Sequence, residues 1–108
     1  MSFQTTIIAG YVGGEVTVAQ VGESKVANFS VAVNERFGQT ERTSWYKIAA
    51  WDALADVALE HVTKGQMILI EGRVSGNPWV DRNGELQFTL SLNAQKLQLL
   101  GSKPEPAE

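Results

Sequence analysis

Apolar side chains recur at every second position in short runs along this chain, and that period is the tightest limit on its fold. It is cleanest from Leu86 to Leu92, where Leu86, Phe88, Leu90 and Leu92 fall on one side. Such alternation, in runs rich in β-branched and aromatic residues and broken by Gly, Asn and Ser, specifies antiparallel strands with one buried face. The first strand covers roughly Phe3 to Tyr11 and, after a bend or bulge at Gly13-Gly14, continues as Glu15 to Val21. Gly22 to Lys25 turns into Val26 to Asn34, with Phe29, Val31 and Val33 on one side. A polar loop, Glu35 to Arg42, leads to a strand from Thr43 to Trp51. Another strand runs from about Met67 to Ser75 with Ile68, Ile70 and Val74 inward, and Leu97 to Leu100 continues the last strand or packs near its end. Asn83-Gly84, between the last two strands, predicts a type I′ hairpin turn because both residues tolerate positive φ.

One helix is predicted, Asp52 to Lys64, with Asp52 as N-cap and Gly65 as the residue that ends it. Leu54, Val57, Ala58, His61 and Val62 form its apolar stripe, and Glu60 and Lys64 are spaced for an ion pair. The fold class is therefore all-β with one helix. Three strands, a helix and two strands give the element order of a five-stranded OB-fold barrel, with the helix between strands three and four.

A chain of 108 residues makes one domain that buries roughly 60% or more of its extended surface. Residues 1–100 are read as that domain. Residues 101–108 contain two of the three prolines and no apolar side chain larger than Ala, so a disordered tail is expected there. With no cysteine and one histidine, thiolate metal sites, disulfides and cysteine nucleophiles are excluded, and histidine cages nearly so. No metal, cofactor or catalytic residue is expected. No apolar run approaches the roughly 18 residues of a membrane helix. The first ten residues carry no Lys or Arg ahead of their apolar patch, so no signal peptide is read and a cytoplasmic protein is expected.

The net charge of −3 argues against a nucleic-acid coat until its distribution is considered. Between Arg36 and Trp51 three cations (Arg36, Arg42, Lys47) outweigh Glu41, whereas Asp52 to Lys64 carries three anions and one cation. The basic segment contains the informative strand. Alternation turns Tyr46, Ile48 and Ala50 to one side and Trp45, Lys47, Ala49 and Trp51 to the other. The first set suits a barrel interior. The second sets two indoles around a lysine, with a small residue holding the surface open. Unpaired bases stack on such rings whatever their sequence, and the lysine reaches a phosphate. Phe37 in the preceding loop and Trp79 in the connection toward Asn83-Gly84 add two more rings, and Arg36, Arg42, Arg73 and Arg82 lie near them in sequence.

Each residue has a plainer reading beside this one. A single outward tryptophan is more often packed under a loop or in a subunit contact than bound to a ligand; four aromatics with interleaved cations shift the balance toward a nucleic-acid track. Tyr46, Phe29 and Phe88 are assigned to core or subunit interface. Asp52, Asp56 and Glu60 read as a solvated acidic face rather than a cation site, and His61 as a packing residue rather than a base. No GxGxxG or Walker pattern occurs.

Several short stretches, in order, resemble the bacterial single-stranded DNA-binding protein family over about residues 5 to 100. They are Val26-Ala-Asn-Phe-Ser-Val-Ala32, Asn34-Glu-Arg-Phe37, Thr43-Ser-Trp-Tyr-Lys47 through Trp51, Leu54-Ala55, Lys64-Gly65, Ile70-Glu-Gly-Arg73 and Trp79. The resemblance implies an OB-fold, sequence-independent binding of single-stranded DNA in replication, recombination and repair, and assembly through a dimer, usually to a homotetramer. It places the family's base-stacking positions at Phe37, Trp45, Trp51 and Trp79 and phosphate-facing cations at Lys47 and Lys64. Where relatives often carry lysine this chain has Ala53, after Asp52, and the usually basic stretch before Trp79 reads Ser75-Gly76-Asn77-Pro78. Each phosphate that goes unneutralised lowers the salt slope by about 0.7 on a single strand, so weaker and less salt-dependent binding than a typical member is expected. Relatives usually end in a linker and an acidic tip that recruits replication and repair proteins. This chain stops at Pro104-Glu-Pro-Ala-Glu108, so the expectation is either a sequence cut before that tip or a short paralogue or viral form, with recruitment by that route doubtful. The alternative is an OB-fold primosome or assembly protein that works mainly through protein contacts. A hydrolase using the helix carboxylates lacks a positioned base.

Overall fold

Every alternating run forms a strand, because period-2 burial can be satisfied only on a pleated surface. The computed structural model describes residues 3–100, apart from the side chain of Phe88. The elements are β1 (Thr6–Val12), β2 (Thr17–Val21), β3 (Ser24–Phe37), β4 (Thr40–Trp51), α1 (Ala53–His61), β5 (Met67–Val80) and β6 (Leu86–Leu100). The strands follow one another as β1-β5-β6-β4-β3-β2, and β1 also pairs with β3 through Tyr11–Ala32 and Val12–Val31, which closes the barrel. All pairings are antiparallel except β4 with β6.

The inward residues meet as the alternation requires. Phe29 and Val31 of β3, Ile48 and Ala50 of β4, Ile68 and Ile70 of β5 and Leu92 of β6 are buried in one cluster with Ile8 and Val12 of β1. Each large aliphatic side chain among them contributes about 1.5–3 kcal/mol when fully removed from water. Ala55, Ala58 and Val62 close the cluster, so α1 approaches the barrel through small side chains.

Several expectations are corrected. The bend at residues 13–16 is a full break, so the first predicted strand becomes β1 and β2; the helix occupies the same place in the chain but now follows the fourth strand of six. The polar loop expected over 35–42 is two strand ends joined at Gly38-Gln39, with the pairing continuing to Phe37–Thr40. Trp79 likewise lies on β5 and not in a connection, paired with Gln87. Both arms extend past the core, where neither face is buried and polarity no longer separates strand from loop. Leu86, expected inside, is exposed for the same reason.

The hairpin at residues 81–85 is not a two-residue type I′ turn. Only Gly84 takes positive φ, 80°, and Asp81 organises the loop: its Oδ1 accepts the N–H groups of Asn83 and Glu85 at 2.9 Å. The helix is shorter than predicted. Asp52 sits at its N-cap position with φ 52° and makes no side-chain cap bond. Its Oδ1 instead accepts the N–H of Lys25 at 3.1 Å, while its own N–H donates to the Lys25 carbonyl at 2.8 Å, tying the end of β4 to β3. Val62 turns extended after the last helical bond, so Lys64 never comes onto the helix face and pairs with no carboxylate among the described residues. Glu60 lies beside His61 instead, and Lys25 Nζ pairs with Asp56. Leu54 is half-buried, but Val57 and His61 are exposed, against the predicted stripe, because contact falls on the Ala55–Ala58 side. The expected tail at 101–108 and the inward placement of the Phe88 side chain lie outside the described residues.

Candidate nucleic-acid interface

The outward side chains of β4 stand on the open face of the sheet. Trp45 is 55% exposed and Trp51 40%, with Lys47 exposed between them and Ala49 half-buried. Six residues along a strand separate the two indoles by roughly 20 Å, so they would serve different bases of a bound strand.

Register shows what shares this face. Lys47 is opposite Ser30 of β3 and Ser91 of β6, and Ala49 is opposite Asn28 and Asn93. Asn93 in turn pairs with Arg73 of β5, and the alternate β5 positions lead through Ser75 and Asn77 to Trp79, which is 49% exposed. Trp45, Lys47, Trp51, Arg73 and Trp79 therefore belong to one surface across β4, β6 and β5. Arg36, opposite Glu41 on the distal arm, has the parity of that surface as well.

Phe37 and Arg42 do not. On β3, Phe37 has the parity of buried Phe29 and Val31, and on β4, Arg42 has that of Ile48 and Ala50, so the arm presents both on its other side. There Arg42 Cζ stands 5.9 Å from the centroid of the Phe37 ring, within cation–π range. Lys64 lies in the turn after α1, where with Glu15, Val16, Leu59, Val62 and Thr63 it lines a hollow of about 380 Å³. Arg82 is exposed in the hairpin at 81–85.

Features absent from the predicted set complete the surface. A hollow beside Lys47, of about 390 Å³, is lined by Gly14, Glu15, Thr17, Asn28 and Ser30 together with Phe29 and Ile48, and Glu15 places one carboxylate in it. The indole N–H of Trp51 donates to Asn93 Oδ1 at 3.2 Å, and that of Trp79 to Thr89 Oγ1 at 3.0 Å. Thr89 and Asn93 are the outward positions alternating with Leu90 and Leu92, so period 2 could have placed them on this face. Nothing local announces that their strand runs parallel beside β4.

Among the described residues, six strands closed through the β1–β3 pairing and one helix between β4 and β5 make an OB-fold barrel, and its outer face carries the exposed indoles. The solved small single-stranded DNA-binding protein of Streptomyces coelicolor has the same fold: TM-score 0.78 over 92% of this chain and 95% of that one, at 18% identity. The chain belongs to the single-strand binding protein family, whose model matches residues 3–100. Among its relatives, single-stranded DNA-binding protein 1 of Chlorobaculum tepidum is 30% identical over 104 residues, 90% of this chain and 64% of that protein. The single-stranded DNA-binding protein of Neisseria meningitidis is 32% identical over 112 residues, covering 97% of this chain and 64% of the relative. For single-stranded DNA-binding protein 1 of a Nostoc species the figures are 30% over 107 residues, 97% and 89%. The chain thus spans less than two thirds of the first two relatives.

Proposed function

We propose that this chain binds single-stranded DNA without sequence preference and protects it during replication, recombination and repair. Bases stack on Trp45, Trp51 and Trp79, with Phe37 reached where the strand passes over the arm, and Lys47, Arg73 and Arg36 meet phosphates. Lys64, Arg82 and Arg42 lie farther out and serve a strand that wraps beyond the central face. The observation that carries this reading is the trio of indoles on one outward surface, 40–55% exposed, with a lysine between two of them. Rings paired with cations and left open to water suit stacking on any base. The reading assigns the protein no covalent chemistry and places its work at the nucleoid, with residues 1–100 as the binding domain.

The barrel acts as a homo-oligomer, a tetramer or else a dimer. Supporting this, β1 pairs with β5 from Thr6 to Tyr11 but meets β3 only at Tyr11 and Val12, which leaves an open edge. Exposed Ile7 and Tyr11 stand on its outward side, with Met67 opposite Tyr11. An apolar row beside an unpaired edge favours addition of a second copy.

The test is competition. A fluorescent thymidine 35-mer should bind at low salt and be displaced by unlabelled homopolymers of any base, but poorly by duplex of equal length. Equal displacement by duplex would contradict the proposal.

A further inference from the structure

Two of the three exposed indoles are tethered to the same neighbouring strand. Trp51 comes from β4 and Trp79 from β5, and β6 lies between those strands. Each ring turns its N–H toward β6, Trp51 to Asn93 Oδ1 and Trp79 to Thr89 Oγ1. Both acceptors point outward, and Ser91 between them is bonded in turn by Asn77 Nδ2 at 3.4 Å. β6 thus presents a polar strip, Thr89-Ser91-Asn93, that holds a ring on either side. Trp45 makes no such bond among the described residues, and its ring leans on Gly13 instead.

An exposed indole is free about two side-chain torsions, and a ligand that stacks on it must first arrest them. A hydrogen bond from its single donor to a rigid strand fixes the ring plane beforehand, which removes part of the ordering cost of association. It also uses the one polar group of the indole, so the face alone remains to meet a base. A ring held in that way cannot favour one base by donating to its edge.

We infer that Thr89 and Asn93 are positioning residues for single-strand binding, locking the planes of Trp79 and Trp51 before the strand arrives and keeping those contacts blind to base identity. The inference rests on the function proposed above and goes beyond it by assigning a role to side chains that would not themselves stack or neutralise charge.

The experiment uses Thr89→Val, which keeps the branched strand-forming shape and deletes the acceptor, with Thr89→Ser as the conservative rescue. Hydrogen exchange of the Trp79 indole N–H, followed by NMR in the free protein, reads the tether without DNA. It should be slowed in the native chain and in Thr89→Ser, and should speed up in Thr89→Val while thermal unfolding stays the same. Affinity for homopolymers should fall in Thr89→Val by about three- to tenfold, and unequally between thymidine and cytidine because the freed indole N–H can donate to a base edge, with the salt slope unchanged and Thr89→Ser near native and even-handed. Asn93→Leu should behave alike through Trp51. An indole N–H that exchanges freely in the native chain, or native affinity in Thr89→Val and Asn93→Leu, would overturn the inference. If the native chain bound no homopolymer, the functional reading would fall and this role with it, whatever the exchange showed.

Discussion

The indole of Trp45 lies directly over the backbone of Gly13. A Cβ placed on Gly13 would fall 2.8 Å from Cη2 and closer still to Cζ3 of the ring, a separation that real atoms do not adopt. Gly13 is itself fixed, since its N–H donates to the Ser30 carbonyl at 2.9 Å. The break between β1 and β2 therefore does more than let the strand bend. It brings a bare stretch of backbone up as a seat for one of the exposed rings.

Replacing Gly13 with alanine should displace the Trp45 ring while leaving the inward core untouched. Overpacking of this kind costs typically 1–3 kcal/mol where nothing can yield, and less here because the ring is free on its outer side. Trp45 emission should shift, and thymidine-polymer affinity should fall with little change in thermal stability. Unchanged emission and affinity would show that the seat does not orient the ring.

Trp45→Ala and Trp51→Ala should each weaken binding by on the order of 1–3 kcal/mol without unfolding the domain, because both rings are exposed and leave no cavity. Phe37→Ala should cost less than either. Its parity puts it on the other side of the arm, against Arg42, so it meets a strand only where that strand crosses the edge. Calorimetric titration of the three variants checks the order, and a Phe37→Ala effect equal to that of Trp45→Ala would place the track on both sides of the arm.

Charge and stacking should separate in salt. Lys47→Ala should reduce the slope of log affinity against log salt by about 0.7, uniformly across homopolymers, whereas Trp51→Ala should lower affinity at every salt concentration with the slope intact. Binding measured over a range of salt checks both. Identical slopes for native protein and Lys47→Ala would remove Lys47 from the phosphate path.

Asp81 sets the acid limit of the hairpin at 81–85. The Glu85 N–H bonded to its carboxylate holds its pKa below the ordinary 3.8; desolvation opposes this, and bonds from Gln87 and Asn83 add to the lowering. A carboxyl depressed in the folded state stabilises above its unfolded value and gives up that contribution as pH falls through the folded one. Order at residues 83–85 should therefore persist down to pH 3.8 and decline only below it. NMR shifts of the Asn83 and Glu85 amides followed through that range check this, and a midpoint above 3.8 would contradict it.

How much of this was legible in the sequence depends on whether one face of a strand was confined and the other open. Along Thr43 to Trp51 the inward residues are apolar and confined, so alternation alone separates Ile48 and Ala50 from Trp45, Lys47 and Trp51, and the structure agrees. The same rule stops at the arms. Around Phe37 and Trp79 both faces meet water, so polar composition imitates a loop where the backbone remains paired. The helix departs from its predicted stripe because Ala55 and Ala58 are small enough to pack closely, and their close approach turns Val57 and His61 outward. The tethers to Thr89 and Asn93 depend on β6 lying beside β4, a parallel pairing between residues far apart in the chain that no local pattern encodes.

Tryptophan emission during titration with a thymidine homopolymer bears most directly on whether the outward indoles are a stacking surface. Emission should be quenched at low salt, saturate at a fixed ratio of nucleotides to protein, and recover as salt is raised; Trp45→Ala and Trp51→Ala should each remove part of the quench. Emission that stays constant through a large excess of polymer, with the protein folded, would contradict the account.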